Sequence, residues 1–148
     1  MNIDFAAAGD LPQLADLLAE LFTLESDFAP DCDKQLQGLT LILEDPACGQ
    51  LFVLRDGASI IGMVNALITV STAEGGRVLL LEDVIVKSEY RGRGLGRLLV
   101  NHVLDWALGQ GLKRVTLLAD QGNRAALDFY GKLGFDLSHM TVLRQSLV

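Results

Sequence analysis

A long apolar run lies near the centre of the chain, in residues 78–86, which read V-L-L-L-E-D-V-I-V. A run rich in β-branched residues, with no alternation of polar positions, predicts a strand that is buried on both faces of a sheet. Only Glu82 and Asp83 interrupt it. Because burying a carboxylate is costly unless it has a partner or a chemical task, this pair is the first candidate for function.

A glycine-rich segment and a helical pattern follow directly. Residues 91–97 read R-G-R-G-L-G-R, and apolar side chains then recur at helical spacing up to Trp106. Glycines let the backbone approach a ligand closely, and the N-terminus of a helix favours an anion. The segment therefore predicts a strand, an anion-binding loop and a helix. Its glycine spacing matches neither a nucleoside-triphosphate loop nor a dinucleotide loop.

Further elements are predicted on both sides of this centre. In chain order they are a strand at 2–6, helices at 10–22 and 36–43, strands at 50–55 and 59–71, a strand at 114–119, a helix at 123–132 and a final hairpin of 135–139 and 141–148. Asp56 and Gly57 are a strong hairpin turn signal. Since a helix connects residues 78–86 to residues 114–119, these two strands are expected to be parallel.

Composition limits the class of protein. With 148 residues, half of them hydrophobic, the chain is expected to form one domain. It has no apolar run of about 18 to 20 residues and no secretion signal, so we expect a cytoplasmic protein without a membrane partner. Cys32 and Cys48 are too few for a disulfide framework or a zinc site, and no metal is expected. The net charge of −7 argues against nucleic acid; it favours a cationic substrate or simply aids solubility, two interpretations that carry equal weight.

Two motifs together resemble a known family. Arg91, Gly94 and Gly96 match the pattern R/Q-x-x-G-x-G/A, and residues 123–135 match N-x-x-A-x-x-F-Y-x-x-x-G-F. Both are typical of the GNAT acyltransferase superfamily. Within it, residues 81–83 and 90–92 are most similar to the diamine and glucosamine-phosphate acetyltransferases. The resemblance implies an α/β fold: one domain over residues 1–148, with a mixed, mostly antiparallel sheet of six to seven strands, a parallel central pair and about four flanking helices.

The resemblance also implies acetyl-CoA as the acyl donor and assigns residues to it. The implied donor-binding residues are Val84, Ile85, Val86, Arg91, Gly92, Arg93, Gly94, Leu95, Gly96, Arg97, Asn123 and Tyr130. The first three would pair their backbone with the pantetheine arm as an added strand does. Asn123 either caps its helix or holds that arm, and the two roles are compatible.

The chemistry needs a base and an acid. An alkylammonium titrates near 10.4, so roughly one molecule in a few thousand is a free amine at pH 7. Glu82 matches the base of the diamine acetyltransferases, acting through one or more waters; its structural alternative is a carboxylate satisfied by a neighbour. In a regular strand Glu82 and Asp83 would point to opposite faces, and the sequence leaves open which one faces the substrate. Tyr130 matches the family's acid for the leaving thiolate, although it also belongs to a buried helical stripe.

Other candidates are weaker. Glu25 and Asp27 lie in the acidic linker between the first two helices, which in this family forms one wall of the acceptor site; a solvated loop is the alternative. His102 and His139 have no partner spacing that indicates catalysis.

The predicted function is transfer of an acetyl group to a primary amine on a small cationic molecule, by direct attack in a ternary complex. The alternatives are a CoA-binding sensor or scaffold without turnover and a protein N-acetyltransferase, and a longer acyl donor stays open. The resemblance also implies a homodimer.

Overall fold

The computed structural model describes residues 1–25 and 27–148 of the chain. Its regular elements, in chain order, are β1 (Asn2–Phe5), α1 (Leu11–Leu24), α2 (Cys32–Glu44), β2 (Gly49–Asp56), β3 (Ser59–Ser71), β4 (Gly76–Val86), α3 (Leu95–Gly109), β5 (Val115–Leu117) and α4 (Arg124–Lys132). Single 3-10 turns at Ala8–Asp10 and Ser88–Tyr90 precede α1 and the glycine loop. None of the described helices is long and apolar enough to cross a membrane.

The strands form one sheet in the order β1-β2-β3-β4-β5. Each neighbouring pair is antiparallel except β4 and β5, which are parallel, with Leu79 opposite Val115 and Leu81 opposite Leu117. The predicted hairpin at Asp56-Gly57 and the predicted parallel pair are both confirmed. The pair is parallel because α3 carries the chain back along the sheet before β5 begins.

The predicted number of strands is wrong. The described residues contain five strands rather than six to seven, because the expected final hairpin of residues 135–139 and 141–148 does not form. Apolar side chains in this tail face solvent, with Leu137 85% and Leu143 92% exposed. An alternation of apolar and polar residues produces a strand only where one face can be buried, and no described helix or sheet packs over the apolar side chains of this tail.

Two hydrophobic cores cover the two faces of the sheet. On one face, Leu99 and Val103 of α3 pack with Leu79 and Leu81 of β4. On the other, α1 and α2 pack against a second set, which includes Met63 of β3 and Ile85 of β4. The prediction that the central strand is buried on both faces is therefore confirmed, and the α1–α2 face is the one that carries the candidate site.

Candidate active site

A β-bulge interrupts β4 at the two carboxylates. Met63 of β3 pairs with Ile85, but Asn65 pairs with Glu82, so three steps on β4 match two steps on β3. Asp83 has φ of 54°, a left-handed conformation that few residues other than glycine adopt and that aspartate tolerates. The extra residue breaks the alternation of faces along the strand.

The bulge places both carboxylates on the same face. Asn65 lies two residues from Met63 on β3 and so shares its face, towards α1 and α2. Glu82 is directly opposite Asn65, and the Nδ2 of Asn65 donates to Oδ2 of Asp83 at 3.2 Å. The expectation that Glu82 and Asp83 point to opposite faces is therefore wrong, because it assumed a regular strand.

The surroundings of this pair favour protonation. Burial raises the pKa of Asp83, and the hydrogen bond from Asn65 opposes that rise. Burial also raises the pKa of Glu82, as does the charge of Asp83, whereas the charge of Arg144 lowers it. A carboxylate whose pKa is raised towards neutrality is a stronger base than an ordinary one, which is what proton transfer from an amine requires.

A third predicted residue joins the pair. Glu25 follows the last turn of α1, and burial raises its pKa, followed by the charges of Asp83, Asp120, Glu82 and Asp27. We call Glu25, Glu82, Asp83 and Asp120 the carboxylate cluster. In the described part of the chain, no three His, Cys, Asp or Glu side chains are arranged to hold a metal ion.

The fourth substrate candidate, Asp27, is occupied by an ion pair. Its Oδ2 lies 2.9 Å from Nη1 of Arg144, and the guanidinium of Arg144 also lies over the ring of Phe28, 5.4 Å from its centroid. Arg144 thus brings a cation from the C-terminal tail to the edge of the cluster. Both partners of the ion pair are more than half exposed, so the pair contributes little to stability.

Tyr130 packs in α4 and faces the same region. Its ring makes edge contacts with Phe129 and Phe135 at centroid distances of 5.0 and 5.7 Å. Burial raises the pKa of Tyr130 to about 12, with a further contribution from the charge of Glu25. The hydroxyl therefore keeps its proton at neutral pH. Packing and proton donation, the two roles expected for Tyr130, are compatible in this position.

The glycine loop has the geometry of an anion cradle. Gly92 and Gly94 have φ of 77° and 76°, and the space where a side chain of either would stand is open. Gly94 is the N-cap of α3, so the first free N–H groups of that helix face the same opening. Gly96, in the first turn of α3, lies against the ring of Phe129, which a Cβ at this position would meet at 3.4 Å, an ordinary contact distance. Leu95, which follows Gly94, is half-buried.

Two of the three loop arginines already bind the protein. Arg91 donates through Nε to the carbonyl oxygen of Val86 at 2.8 Å, and Arg93 donates through Nη2 to the carbonyl oxygen of Glu89 at 3.2 Å. Arg97, in the first turn of α3, is exposed. Arg91 and Arg93 therefore hold the backbone before the loop in place, and they also add positive charge to the loop.

The edge of β4 next to β5 is open beyond Leu81. The β5 pairing covers Leu79 to Leu81, and within the described sheet no strand pairs with residues 82–86 on that side. Val84 is half-buried, and Ile85 and Val86 are buried, so their side chains belong to the core and their backbone is what this edge offers. Asn123 caps α4, because its Oδ1 accepts from the backbone N–H of Ala126 at 3.1 Å.

Sequence reasoning missed three residues of this region: Asn65, Asp120 and Arg144. Asn65 has a readable signal, since it is the one polar side chain in the run I-I-G-M-V-N-A-L-I at 60–68. Asp120 directly follows the predicted strand at 114–119. Arg144 has no local signal, because only the path of the tail brings it to Asp27.

Comparison with known proteins agrees with this geometry. The sequence profile of the Acetyltransferase (GNAT) family matches residues 11–135. YobR of Bacillus subtilis, described as an uncharacterized N-acetyltransferase, is 34% identical over 117 residues, which are 78% of this chain and 43% of that protein. A thialysine N-epsilon-acetyltransferase of Bos taurus is 41% identical over 59 residues, 40% of this chain and 35% of that protein. The chain thus spans less than half the length of these two relatives.

The fold has close counterparts among solved structures. A possible acetyltransferase from Clostridium difficile superposes with a TM-score of 0.89 at 20% identity, over 99% of this chain and 97% of that one. At this identity the likeness concerns the fold alone. The profile match over most of the chain, together with the glycine loop at the N-terminus of α3, leads to one conclusion: the chain belongs to the Acetyltransferase (GNAT) family, whose members use acetyl-CoA as the acyl donor.

Proposed function

We propose that the chain transfers an acetyl group from acetyl-CoA to a primary amine of a small cationic molecule, by direct attack in a ternary complex. The observation that carries the proposal is the bulge in β4. It turns Glu82 and Asp83 to one face beside the open edge of the strand, where a donor and an acceptor can meet.

The negative charge of the site favours a cationic acceptor. The carboxylate cluster presents several negative groups to one region, and the protein as a whole carries a net charge of −7. An ammonium group approaching this region gains electrostatic attraction that a neutral amide or an anion does not. The bovine relative is named for acetylating the ε-nitrogen of thialysine, and we extend that substrate class, amines on small cationic molecules, to this chain.

Glu82 is the proposed base. The ammonium form of the acceptor has no free electron pair, so one N–H bond must break before nitrogen can attack. Glu82 takes that proton, directly or through water, and its raised pKa makes it better suited to the task than an exposed glutamate. Asp83 lies beside it on the same face, where its Oδ2 accepts a hydrogen bond from Nδ2 of Asn65.

Tyr130 is the proposed acid. Acetyl-CoA supplies an acyl group already activated by its bond to sulfur. The hydroxyl of Tyr130 holds its proton at neutral pH and can donate it to sulfur as that bond breaks. Donor binding is assigned to the loop of residues 91–97, to the backbone of residues 84–86 and to Asn123. Gly92 and Gly94 leave the cradle open for the pyrophosphate.

A thiol-release assay tests the proposal. Free CoA thiol is measured while the protein is supplied with acetyl-CoA and a panel of polyamines, basic amino acids, aminoglycosides, amino sugars and lysine peptides. Amine-dependent release that exceeds hydrolysis supports the proposal, and the preferred amine identifies the substrate class. If acetyl-CoA stabilises the protein but no amine releases thiol, the alternative of a CoA-binding sensor or scaffold is favoured. Preference for the peptides would favour a protein N-acetyltransferase, and a second panel of acyl-CoA donors tests a longer acyl group.

The homodimer stays a prediction of the family resemblance. Sedimentation at micromolar concentration tests it, and a monomer under those conditions would contradict it.

A further inference from the structure

The amide of Asn65 is half satisfied. Its side chain is only 4% exposed, and its Nδ2 donates to Asp83. Its Oδ1 is the one buried side-chain nitrogen or oxygen atom without a hydrogen-bond partner in residues 1–25 and 27–148. A buried carbonyl oxygen without a donor destabilises the folded state, so the side chain is expected to gain a donor in some state of the protein.

The charged and titratable groups around this amide come from several elements. They are Glu25 after α1, Asp27 in the following linker, Glu82 and Asp83 on β4, Asp120 after β5, Tyr130 on α4 and Arg144 in the tail. Of these, Glu82 and Asp83 are the two that register and hydrogen bonding place directly against Asn65. A carboxyl group donates a hydrogen bond only when it carries a proton.

Glu82 is the better donor of the two. Asp83 already accepts from Nδ2 of Asn65, and such a bond stabilises the anion of Asp83. Glu82 stands directly opposite Asn65 across the two strands, where side chains lie close together. Because Oδ1 of Asn65 is buried, we expect its donor to be a neighbouring side chain rather than an incoming amine.

We infer that Asn65 is a positioning residue for Glu82: its Oδ1 accepts a hydrogen bond from the carboxyl group of Glu82 once Glu82 is protonated, while its Nδ2 continues to donate to Asp83. The inference rests on the proposed function, in which Glu82 is the base. The proton balance is simple: one N–H bond of the acceptor ammonium breaks, one O–H bond forms on Glu82, and the nitrogen keeps the electron pair. The new O–H group then finds its acceptor already in place.

This arrangement gives the two carboxyl groups that the bulge places on one face different roles. If both were ionised, each would disfavour the other, and their roles would be equivalent. Asn65 makes them different, because it offers a donor to one and an acceptor to the other. A hydrogen bond that exists only in the protonated form of Glu82 favours proton uptake and so strengthens the base.

The test follows the titration of Glu82 itself. Protein labelled with ¹³C at the glutamate carboxyl carbons is titrated by NMR, and the signal of Glu82 is the one that Glu82→Gln removes. The probes are Asn65→Leu, similar in shape but apolar, and Asn65→Ala, which avoids overpacking. The matched control is Asn101→Leu, on the exposed surface of α3. We expect the midpoint of Glu82 to fall by about half a pH unit or more in both Asn65 variants and to be unchanged in the control. A midpoint that is unchanged or higher in the Asn65 variants overturns the inference.

A second measurement covers the case in which neither Asn65 variant folds. In Glu82→Gln the side-chain amide replaces the O–H donor to Asn65, whereas in Glu82→Met a side chain of similar length has none. Urea denaturation at pH 8 should give a higher midpoint for Glu82→Gln than for Glu82→Met. Equal midpoints would show that Glu82 has no bond to Asn65 and would overturn the inference.

Activity separates this inference from the proposed function. The acid limb of the kcat/KM profile should move to lower pH in the Asn65 variants, in step with the NMR midpoint. If the midpoint falls but the parent protein acetylates no amine, the contact between Asn65 and Glu82 stands and the proposed function is wrong. If the parent acetylates amines and the midpoint does not fall, only the role of Asn65 is wrong.

Discussion

Arg91 ties the glycine loop to the end of the central strand. Its Nε donates to the carbonyl oxygen of Val86 at 2.8 Å, and its Nη2 donates to Oε1 of Glu20 on α1 at 2.9 Å. A single guanidinium therefore holds the strand, the loop and a helix of the opposite layer together. Lysine cannot reproduce this, because it lacks the planar fork of donors.

We predict that Arg91→Lys raises the KM for acetyl-CoA by about 3- to 10-fold, in keeping with about 1 kcal/mol for a lost hydrogen bond, and leaves kcat nearly unchanged. Steady-state kinetics at saturating amine measures both constants. Arg77→Lys, on the exposed start of β4, is the control. A normal KM for acetyl-CoA in Arg91→Lys would contradict the bracing role.

Gly94 offers a test of the cradle. We predict that Gly94→Ala weakens acetyl-CoA binding by about tenfold or more, because the side chain strains the left-handed backbone at the N-cap of α3 and enters the opening. Isothermal titration calorimetry measures the affinity. The matched control is Gly75→Ala, since Gly75 has φ of 72° in the turn between β3 and β4. Both variants should lose about 1 kcal/mol of stability, but only Gly94→Ala should lose affinity. Equal affinities would mean that the loop does not hold the donor.

Glu82→Gln tests the base. We predict a fall in kcat/KM of about 10²-fold near neutral pH, with partial recovery as the pH rises, because free amine then forms without a base. A pH series with a single amine measures this. Asp16→Asn, on α1, is a control for loss of one negative charge. A loss of activity that is the same at every pH would mean that Glu82 does not remove the proton.

Glu82→Gln should also change the way in which the stability of the protein depends on pH. The pKa of Glu82 is raised in the folded protein, so the folded state binds this proton more tightly than the unfolded state. The resulting stabilisation is fully present below the ordinary value of 4.5 and is lost as the pH rises through the higher, folded value. In Glu82→Gln the loss of stability with rising pH that Glu82 causes should be absent from denaturation midpoints measured between pH 4 and pH 8.

Tyr130→Phe tests the acid. It removes the hydroxyl and keeps the ring that packs on Phe129 and Phe135, so stability and acetyl-CoA affinity should stay close to those of the parent. We predict that kcat falls by about 10²-fold, the size of one positioned proton transfer. Because the pKa of Tyr130 is raised to about 12, the loss should be uniform up to about pH 10. Tyr90→Phe, at the other tyrosine, is the control. Full activity of Tyr130→Phe, with unfolding of Tyr130→Ala, would leave packing as the only role.

Arg144→Gln tests the tail. The charge of Arg144 lowers the pKa of Glu82 and pairs with Asp27, so it opposes a second cation in the same region. We predict that Arg144→Gln lowers the KM for a cationic amine by about 2- to 5-fold, the range expected for an exposed pair. The control is Arg114→Gln, which breaks the surface ion pair with Glu74 instead. A higher KM in Arg144→Gln would show that Arg144 helps to bind the acceptor.

Local sequence patterns were enough to predict the central secondary-structure elements of the protein. The hairpin at Asp56-Gly57, the buried strand, the glycine loop and the helix after it are each encoded within a few neighbouring residues. Gly92 and Gly94 adopt positive φ, and Asn123 caps α4, as these residue types favour. The parallel pairing of β4 and β5 followed from connectivity, because a helix between two neighbouring strands returns the chain to the end of the sheet where the first strand began.

The tertiary structure decided how the chemical groups meet. Which face Asp83 occupies depends on the register between β3 and β4, and a bulge depends on both strands, so the letters of one strand cannot specify it. The tail alternates like a hairpin but forms none, because pairing needs a face to bury. Arg144 reaches Asp27 across 117 positions of sequence, and Asn65 meets Asp83 across 18. Such contacts depend on the path of the whole chain in the folded protein, whereas periodicity and turn signals act only over neighbouring residues.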